Sequence, residues 1–270
     1  MTASPSPEQL RALAREVARA AGEVLRQHRR GAVTVARTKS SATDVVTAAD
    51  LASERELRRL LGAARPDDGV LGEEEGVVEG RSGLTWVVDP LDGTVNYLYD
   101  TGTWSVSVAV VSGSPDPEHW QVLAGAVYDV ERDQMYSAAA GGGADLDGAP
   151  LRASGCTELA ACLLSTGFGY DPVQRAEQAA AVAVLLPQVR DLRRIGSAAV
   201  DLCLVAAGRL DAHVERGLKP WDHAAGALVA AEAGAVVVGR DGGRPGAGLL
   251  IAAAPGVAGA LQAAVTASGY

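Results

Sequence analysis

The run Thr85-Trp86-Val87-Val88-Asp89-Pro90-Leu91-Asp92-Gly93-Thr94 constrains this chain more than any other stretch. Thr85 to Val88 have the β-branched and aromatic character of a buried strand, and that strand ends in two carboxylates. Pro90 fixes one backbone angle and has no N–H to donate, so the two acids are aimed at one spot rather than splayed. Gly93 allows a tight turn and close approach of backbone N–H groups to an anion. Acids at the C-terminal end of a strand suit an open α/β sheet, where ligands commonly bind. Two carboxylates followed by a hydroxyl can hold a hard cation such as Mg²⁺ beside a phosphate. A polar turn in which Asp and Gly serve only geometry explains the same residues. A nucleophilic Asp-x-Asp-Gly-Thr motif is disfavoured, because two residues, not one, separate Asp89 from Asp92.

Other acids are ambiguous one at a time. Gly72-Glu73-Glu74-Glu75-Gly76 is an acidic loop, and such runs are often just solvated. Thr47 reads as a helix N-cap with Asp50 three residues on, which accounts for Asp50 without chemistry. Trp221-Asp222 opens another helix, with Asp222 read as its cap and Gly234 as its end.

A chain of 270 residues can form one large domain or two intimate lobes. With 48% apolar residues a sizeable core is available, but Phe168 is the single phenylalanine, so Val, Leu and Ala must build it. The net charge of −9 disfavours nucleic-acid binding through a basic patch. It also means that a phosphate ester is repelled unless bound cations reverse the local field. Cys156, Cys162 and Cys203 lack metal or redox spacing and read as buried thiols of a reducing compartment. His28, His119, His213 and His223 form no zinc-like pattern. Neither a signal peptide nor a membrane span is expected, which points to the cytoplasm.

Along the chain, Ser6-Pro7-Glu8-Gln9 carries cap, first-turn proline and capping box. Leu10, Leu13, Val17, Ala20, Ala21 and Val24 then follow a helical period. A second helix is expected over about 48–61. Trp104 to Val110 alternates as a half-buried strand should, and further strands fit 121–128 and 134–138. Asp147-Gly148 marks a hairpin turn. From about residue 151, strands near 161–165, 191–195, 210–214, 235–238 and 249–253 alternate with helices near 172–186, 197–207, 222–233 and 257–267. The first half thus reads as antiparallel β, the second as αβ units, with no linker between them.

Taken together, the motifs resemble the inositol monophosphatase family of magnesium-dependent, lithium-sensitive phosphomonoesterases. The resemblance rests on Lys39-Ser40-Ser41-Ala42-Thr43-Asp44 with Thr47-Ala48-Ala49-Asp50, on Gly72-Glu73-Glu74, and on Trp86 to Tyr97. It continues through Gly141-Gly142-Gly143, Asp147-Gly148, Gly196-Ser197-Ala198-Ala199 and Trp221-Asp222-His223-Ala224-Ala225-Gly226. Val95 and Tyr97 stand where Thr and Phe are frequent, and Asp100, where the family often has Gly, could alter the rim of the site.

The resemblance implies an α+β (α/β) fold, a layered α-β-α-β-α sandwich of the sugar-phosphatase type. It implies a single domain over 1–270, with lobes of about 1–150 and 151–270, and a homodimer. It implies hydrolysis of a phosphate monoester, foremost inositol 1-phosphate, by metal-activated water with two or three Mg²⁺ ions. Their ligands would be Glu73, Asp89, the Leu91 carbonyl, Asp92 and Asp222. Glu73 and Thr94 would orient the attacking water, with Asp50 accepting from the Thr94 hydroxyl. Substrate contacts would come from Asp92, Gly93, Thr94, Ala198, Glu215 and Asp222, with Glu215 accepting from a polyol hydroxyl. Lys39 is either near the ions or a loop lysine. Alternatives are a phosphatase of histidinol phosphate, fructose 1,6-bisphosphate or 3′-phosphoadenosine 5′-phosphate, or a non-catalytic partner of the transcription machinery.

Overall fold

A computed structural model describes residues 5–31, 33, 35–38 and 45–270. Lys39 and the segment through Asp44 lie outside the described residues.

Helix α1 (Pro7–Arg29) begins at the Ser6–Gln9 capping box expected from sequence. Its buried stripe is Leu10, Ala14, Val17, Ala18, Ala21, Gly22 and Leu25. A short antiparallel pair follows, β1 (Val35–Thr38) and β2 (Val45–Thr47). Helix α2 (Ala48–Ala64) starts at Thr47, whose hydroxyl accepts from Ala49 and Asp50 while the Asp50 carboxylate accepts from the Thr47 N–H.

Eight strands then form one sheet. They are β3 (Gly69–Gly72), β4 (Gly76–Val78), β5 (Leu84–Asp92), β6 (Ser105–Ser112), β7 (Gln121–Asp129), β8 (Gln134–Ala139), β9 (Gly143–Leu146) and β10 (Ala149–Pro150). Their order is β10-β9-β8-β7-β6-β5-β3-β4, antiparallel except for the β3–β5 pair. Helix α3 (Thr94–Tyr99) follows β5 directly. A second sheet has the order β12-β11-β13-β15-β14, from β11 (Leu163–Thr166), β12 (Asp191–Arg193), β13 (Ala212–Glu215), β14 (Val236–Val238) and β15 (Leu250–Ala253). Its helices are α4 (Pro172–Leu185), α5 (Ala198–Ala206), α6 (Pro220–Glu232) and α7 (Ala258–Ala267).

Side-chain alternation assigns the layers. Trp86, Val88, Val106, Val108 and Val110 pack against α1 and α2. Val87, Ala109, Val111 and Val127 face the other way, onto Ala199, Cys203, Ala225 and Val229 of α5 and α6. The opposite sides of α5 and α6 meet Leu250 and Ala252 of the second sheet. The outer face of that sheet is covered by Ala181 and Leu185 of α4 and by Leu261 and Val265 of α7. The result is an α-β-α-β-α sandwich, the layering that the family resemblance implies.

Two sequence expectations change. The strand through Trp104–Val110 is buried on both faces, not half-buried, because helices cover both sides of its sheet. Its small residues therefore face protein: Ser105 Oγ lies 3.3 Å from Ser197 Oγ, and Ser107 Oγ donates to the Trp221 carbonyl at 3.2 Å. Asp100 is not on the rim of the site. It takes a left-handed conformation (φ 58°) after α3 and pairs with Arg29 of α1 at 2.6 Å. The hydroxyl that distinguishes Tyr97 from phenylalanine donates to the Leu25 carbonyl at 2.9 Å, so it is buried with a partner. Cys162 and Cys203 are buried, Cys156 is partly exposed, and all three are free thiols.

Candidate active site

In a regular strand Asp89 and Asp92 would point to opposite faces, since side chains alternate. The pairing of β5 with β6 prevents this. Asp89 lies opposite Ser107 and Asp92 opposite Ser105, so β5 spends one residue more than its partner over the same interval. That β-bulge contains Pro90, which has no N–H to give the ladder. Ser53 of α2 donates to the Pro90 carbonyl at 2.8 Å, and the Leu91 N–H donates to Asp89 at 3.0 Å. Both carboxylates therefore line the same cavity, of about 260 Å³, between the two sheets.

The acids reach that cavity from separate elements, each held by its own donors. Asp92 Oδ2 accepts from Ser197 Oγ at 2.6 Å and from the Ala199 N–H at 2.8 Å, at the start of α5. Asp222 is the third residue of α6, not its cap. Pro220 sets the helix start earlier, and the Asp222 carboxylate accepts from the Lys219 N–H at 2.6 Å. Glu73 projects from the β3–β4 turn. The turn is organised by Glu54 of α2, whose buried carboxylate accepts from the Glu74 and Glu75 N–H groups at 2.7 and 3.0 Å and pairs with Arg58.

Gly93 has φ 94°, and a Cβ there would lie 3.0 Å from the Thr103 carbonyl, so the turn into α3 admits only glycine without strain. The Thr94 hydroxyl is 3.2 Å from Asp50 Oδ1 and 3.1 Å from the Leu91 carbonyl, so its single proton serves one or the other. Asn96 ties α3 to the second half, donating to the Thr103 and Ile195 carbonyls at 2.7 and 2.9 Å.

The cavity lining contains Glu73, Asp89, Leu91, Asp92, Gly93, Thr94, Ala198, Glu215 and Asp222, and Asp50 stands behind Thr94. Residues missed by sequence reasoning are Ser53, Glu54, Asp201 and His213, all buried. Asp50, Ser53 and Glu54 share the buried face of α2 with Leu57 and Leu61. Three polar residues on a core-facing stripe were the available signal.

The electrostatics are those of acids with too little compensating charge. Enclosure away from water pushes the Asp89 and Asp222 carboxyls well above the usual range, and Glu73 and Asp92 push them further. Asp92 is raised to about 6 by the same loss of water, although Ser197 and the Ala199 N–H favour its charged form. Burial likewise raises Asp50 to about 6. Among the described residues no three acidic, histidine or cysteine side chains are already gathered as a metal-holding group. The donor set nonetheless fits a hard divalent cation. It is all oxygen, its carboxylates repel one another, and a cation would relieve both the repulsion and the lost hydration.

A model of the inositol monophosphatase family matches residues 6–268. The chain belongs to that family. Its members are phosphoric monoester hydrolases, and this chain is one by the same assignment. It is 47% identical to the inositol-1-monophosphatase of Mycobacterium leprae, over 96% of this chain and 94% of that protein. It is 38% identical to the Nus factor SuhB of Pasteurella multocida, over 90% of each. Among solved structures, Mycobacterium tuberculosis SuhB superimposes with a TM-score of 0.83 at 44% identity, covering 98% of both chains.

Proposed function

We propose that this member of the family hydrolyses a phosphate monoester of a polyol, inositol 1-phosphate foremost, in a Mg²⁺-dependent reaction. The observation that carries the reading is the bulge that puts Asp89 and Asp92 into one cavity with Glu73 and Asp222, opposite Glu215. Glu73, Asp89, the Leu91 carbonyl, Asp92 and Asp222 would hold two or three Mg²⁺ ions. Bound Mg²⁺ supplies Lewis acidity toward the attacking water, the phosphate and the departing oxygen.

The chain's own groups do the rest. Thr94, when its proton goes to Asp50, offers oxygen lone pairs to an attacking water, and Glu73 accepts from the same water. Backbone N–H groups at Gly93 and Thr94 open α3 toward the phosphate. Glu215, at the end of β13, accepts a hydrogen bond from a hydroxyl of the leaving alcohol. Ala198 leaves room for that alcohol beside Asp92.

Phosphate release from inositol 1-phosphate, histidinol phosphate, fructose 1,6-bisphosphate and 3′-phosphoadenosine 5′-phosphate, with Mg²⁺ and with EDTA, tests the reading. Preference for inositol 1-phosphate supports it. Preference for another ester keeps the reaction and reassigns the substrate. No release from any overturns it.

The likeness to a protein named Nus factor SuhB favours a second reading, association with transcription machinery. Binding to purified RNA polymerase that survives Asp92→Asn would support that role as separate from hydrolysis. We also expect a homodimer, since α4 and the turn after it expose Val173, Val184 and Leu186. The free thiols suit a cytoplasmic setting, and no described helix is long and apolar enough to cross a membrane.

A further inference from the structure

A buried polar chain lies under Glu215, and no step of the hydrolysis above uses it. His213 and Glu215 are two residues apart on β13 and so share a face of the sheet. His213 is fully buried, and Ser165 stands directly beside it on β11 in the parallel register. The Ser165 hydroxyl and His213 Nδ1 are hydrogen-bonded at 2.9 Å. His213 Nε2 lies 3.3 Å from Glu215 Oε2, within ion-pair reach but without hydrogen-bond alignment. Asp201 of α5 completes the group. It is 1% exposed, lies close enough to His213 to favour the charged ring, and leaves Oδ1 without a hydrogen bond. On its other side the Glu215 carboxylate lies against Gly167, where a Cβ would collide with it.

A core histidine that merely satisfies its own polarity needs one or two neutral partners. This one sits between two carboxylates, Asp201 and Glu215, that both border the cavity. Burial alone would lower the His213 pKa, yet Glu215 and Asp201 together turn the shift upward, favouring the charged ring. A charged ring hydrogen-bonded to Ser165 and flanked by Asp201 restrains one oxygen of Glu215 and leaves the other for a ligand hydroxyl. Holding an acceptor in its bound orientation removes ordering cost from binding.

We propose that His213 is a positioning residue that fixes the Glu215 carboxylate for a substrate hydroxyl, so that the Ser165–His213–Glu215 chain sets the preference for polyol esters over simple aryl esters. The inference rests on the reading of Glu215 as the hydroxyl acceptor given above.

Steady-state kinetics of the Mg²⁺-loaded enzyme on inositol 1-phosphate and on 4-nitrophenyl phosphate test it. His213→Asn keeps a polar atom near Ser165 but cannot reach Glu215, whereas His213→Gln can reach it. KM for inositol 1-phosphate should rise about tenfold in His213→Asn, while KM for the aryl ester changes by no more than about twofold. His213→Gln should recover most of the loss. In a Glu215→Gln background, His213→Asn should add nothing, because the two act through one link.

Equal losses on both esters without rescue by Gln, or an added loss in the Glu215→Gln background, overturn the proposal. Glu215→Gln with no effect on inositol 1-phosphate removes Glu215 as the acceptor, and the proposal with it, while leaving Mg²⁺-dependent hydrolysis in place. A measurement on the unaltered chain stands apart from any folding defect. With four histidines in the sequence, the ¹⁵N resonance of His213 Nε2 can be followed. It should move on addition of free inositol with Mg²⁺ and inorganic phosphate, and a resonance that stays still at saturation overturns the proposal.

Discussion

The Asp92 carboxylate, at the end of a strand in the first sheet, accepts a 2.6 Å hydrogen bond from Ser197, the residue that caps α5 between the sheets. One hydroxyl thus serves two ends: its oxygen accepts from the Val200 N–H and its proton goes to Asp92. Ser197→Ala should cost about 1–2 kcal/mol as a lost N-cap. It should also raise the Mg²⁺ concentration for half-maximal activity, because Asp92 loses an orienting donor. Urea unfolding and a Mg²⁺ titration of activity check the two effects separately.

Asp92→Asn should lower kcat by orders of magnitude. Without Mg²⁺ it should unfold no more easily than the unaltered protein, since it removes a carboxylate that enclosure disfavours. A thermal melt beside the activity assay reads both, and retained activity would remove Asp92 from the essential set.

The stabilisation given by Mg²⁺ should depend on pH. Asp92 has a folded pKa of about 6, above an unfolded value near 3.8, so between these the native state holds a proton that the unfolded chain does not. The stability this proton contributes is fully present below about 3.8 and is lost as pH rises through about 6. Asp89 and Asp222 are shifted in the same direction. Mg²⁺ must displace those protons, so the rise in melting temperature on adding it should be small at pH 5 and large at pH 8. Calorimetry at pH 6 in buffers of different ionisation enthalpy should show proton release on binding. An equal melting shift at both pH values would contradict the argument.

Glu54→Gln tests the support of the acidic turn. Gln can accept from only one of the two N–H groups with comparable strength and loses the Arg58 pair. The turn should loosen and the Mg²⁺ requirement should rise by about tenfold, as expected when an outer partner of a ligand is lost. An unchanged Mg²⁺ titration would show that Glu73 is held by other means.

Local signals in the chain were legible where they concerned hydrogen bonds between near neighbours. The caps at Ser6 and Thr47 and the Asp147-Gly148 turn are such cases, and the structure has all three. Asp222 was misplaced by the same reasoning because Pro220, a first-turn residue, was not weighed as the helix start. The alternation of Val106, Val108 and Val110 with serine and alanine was read as one wet face, but small residues also suit a face covered by alanine-rich helices. Ser165, Asp201 and His213 carried no pattern, since their meeting depends on the register of β11 against β13 and on where α5 docks. The turn residue Pro90 pointed to two acids that converge, whereas the mechanism of convergence, one surplus residue relative to β6, needed the pairing.

That surplus residue decides how the turn is tied together, not whether the acids can meet. Deleting Leu91 would restore a regular ladder and leave the two aspartates two residues apart, still on one face, because side chains alternate along a strand. What the deletion would remove is the Leu91 carbonyl, the alternative to Asp50 as acceptor for the Thr94 hydroxyl. The longer spacing thus couples the strand end to the threonine that opens the next helix.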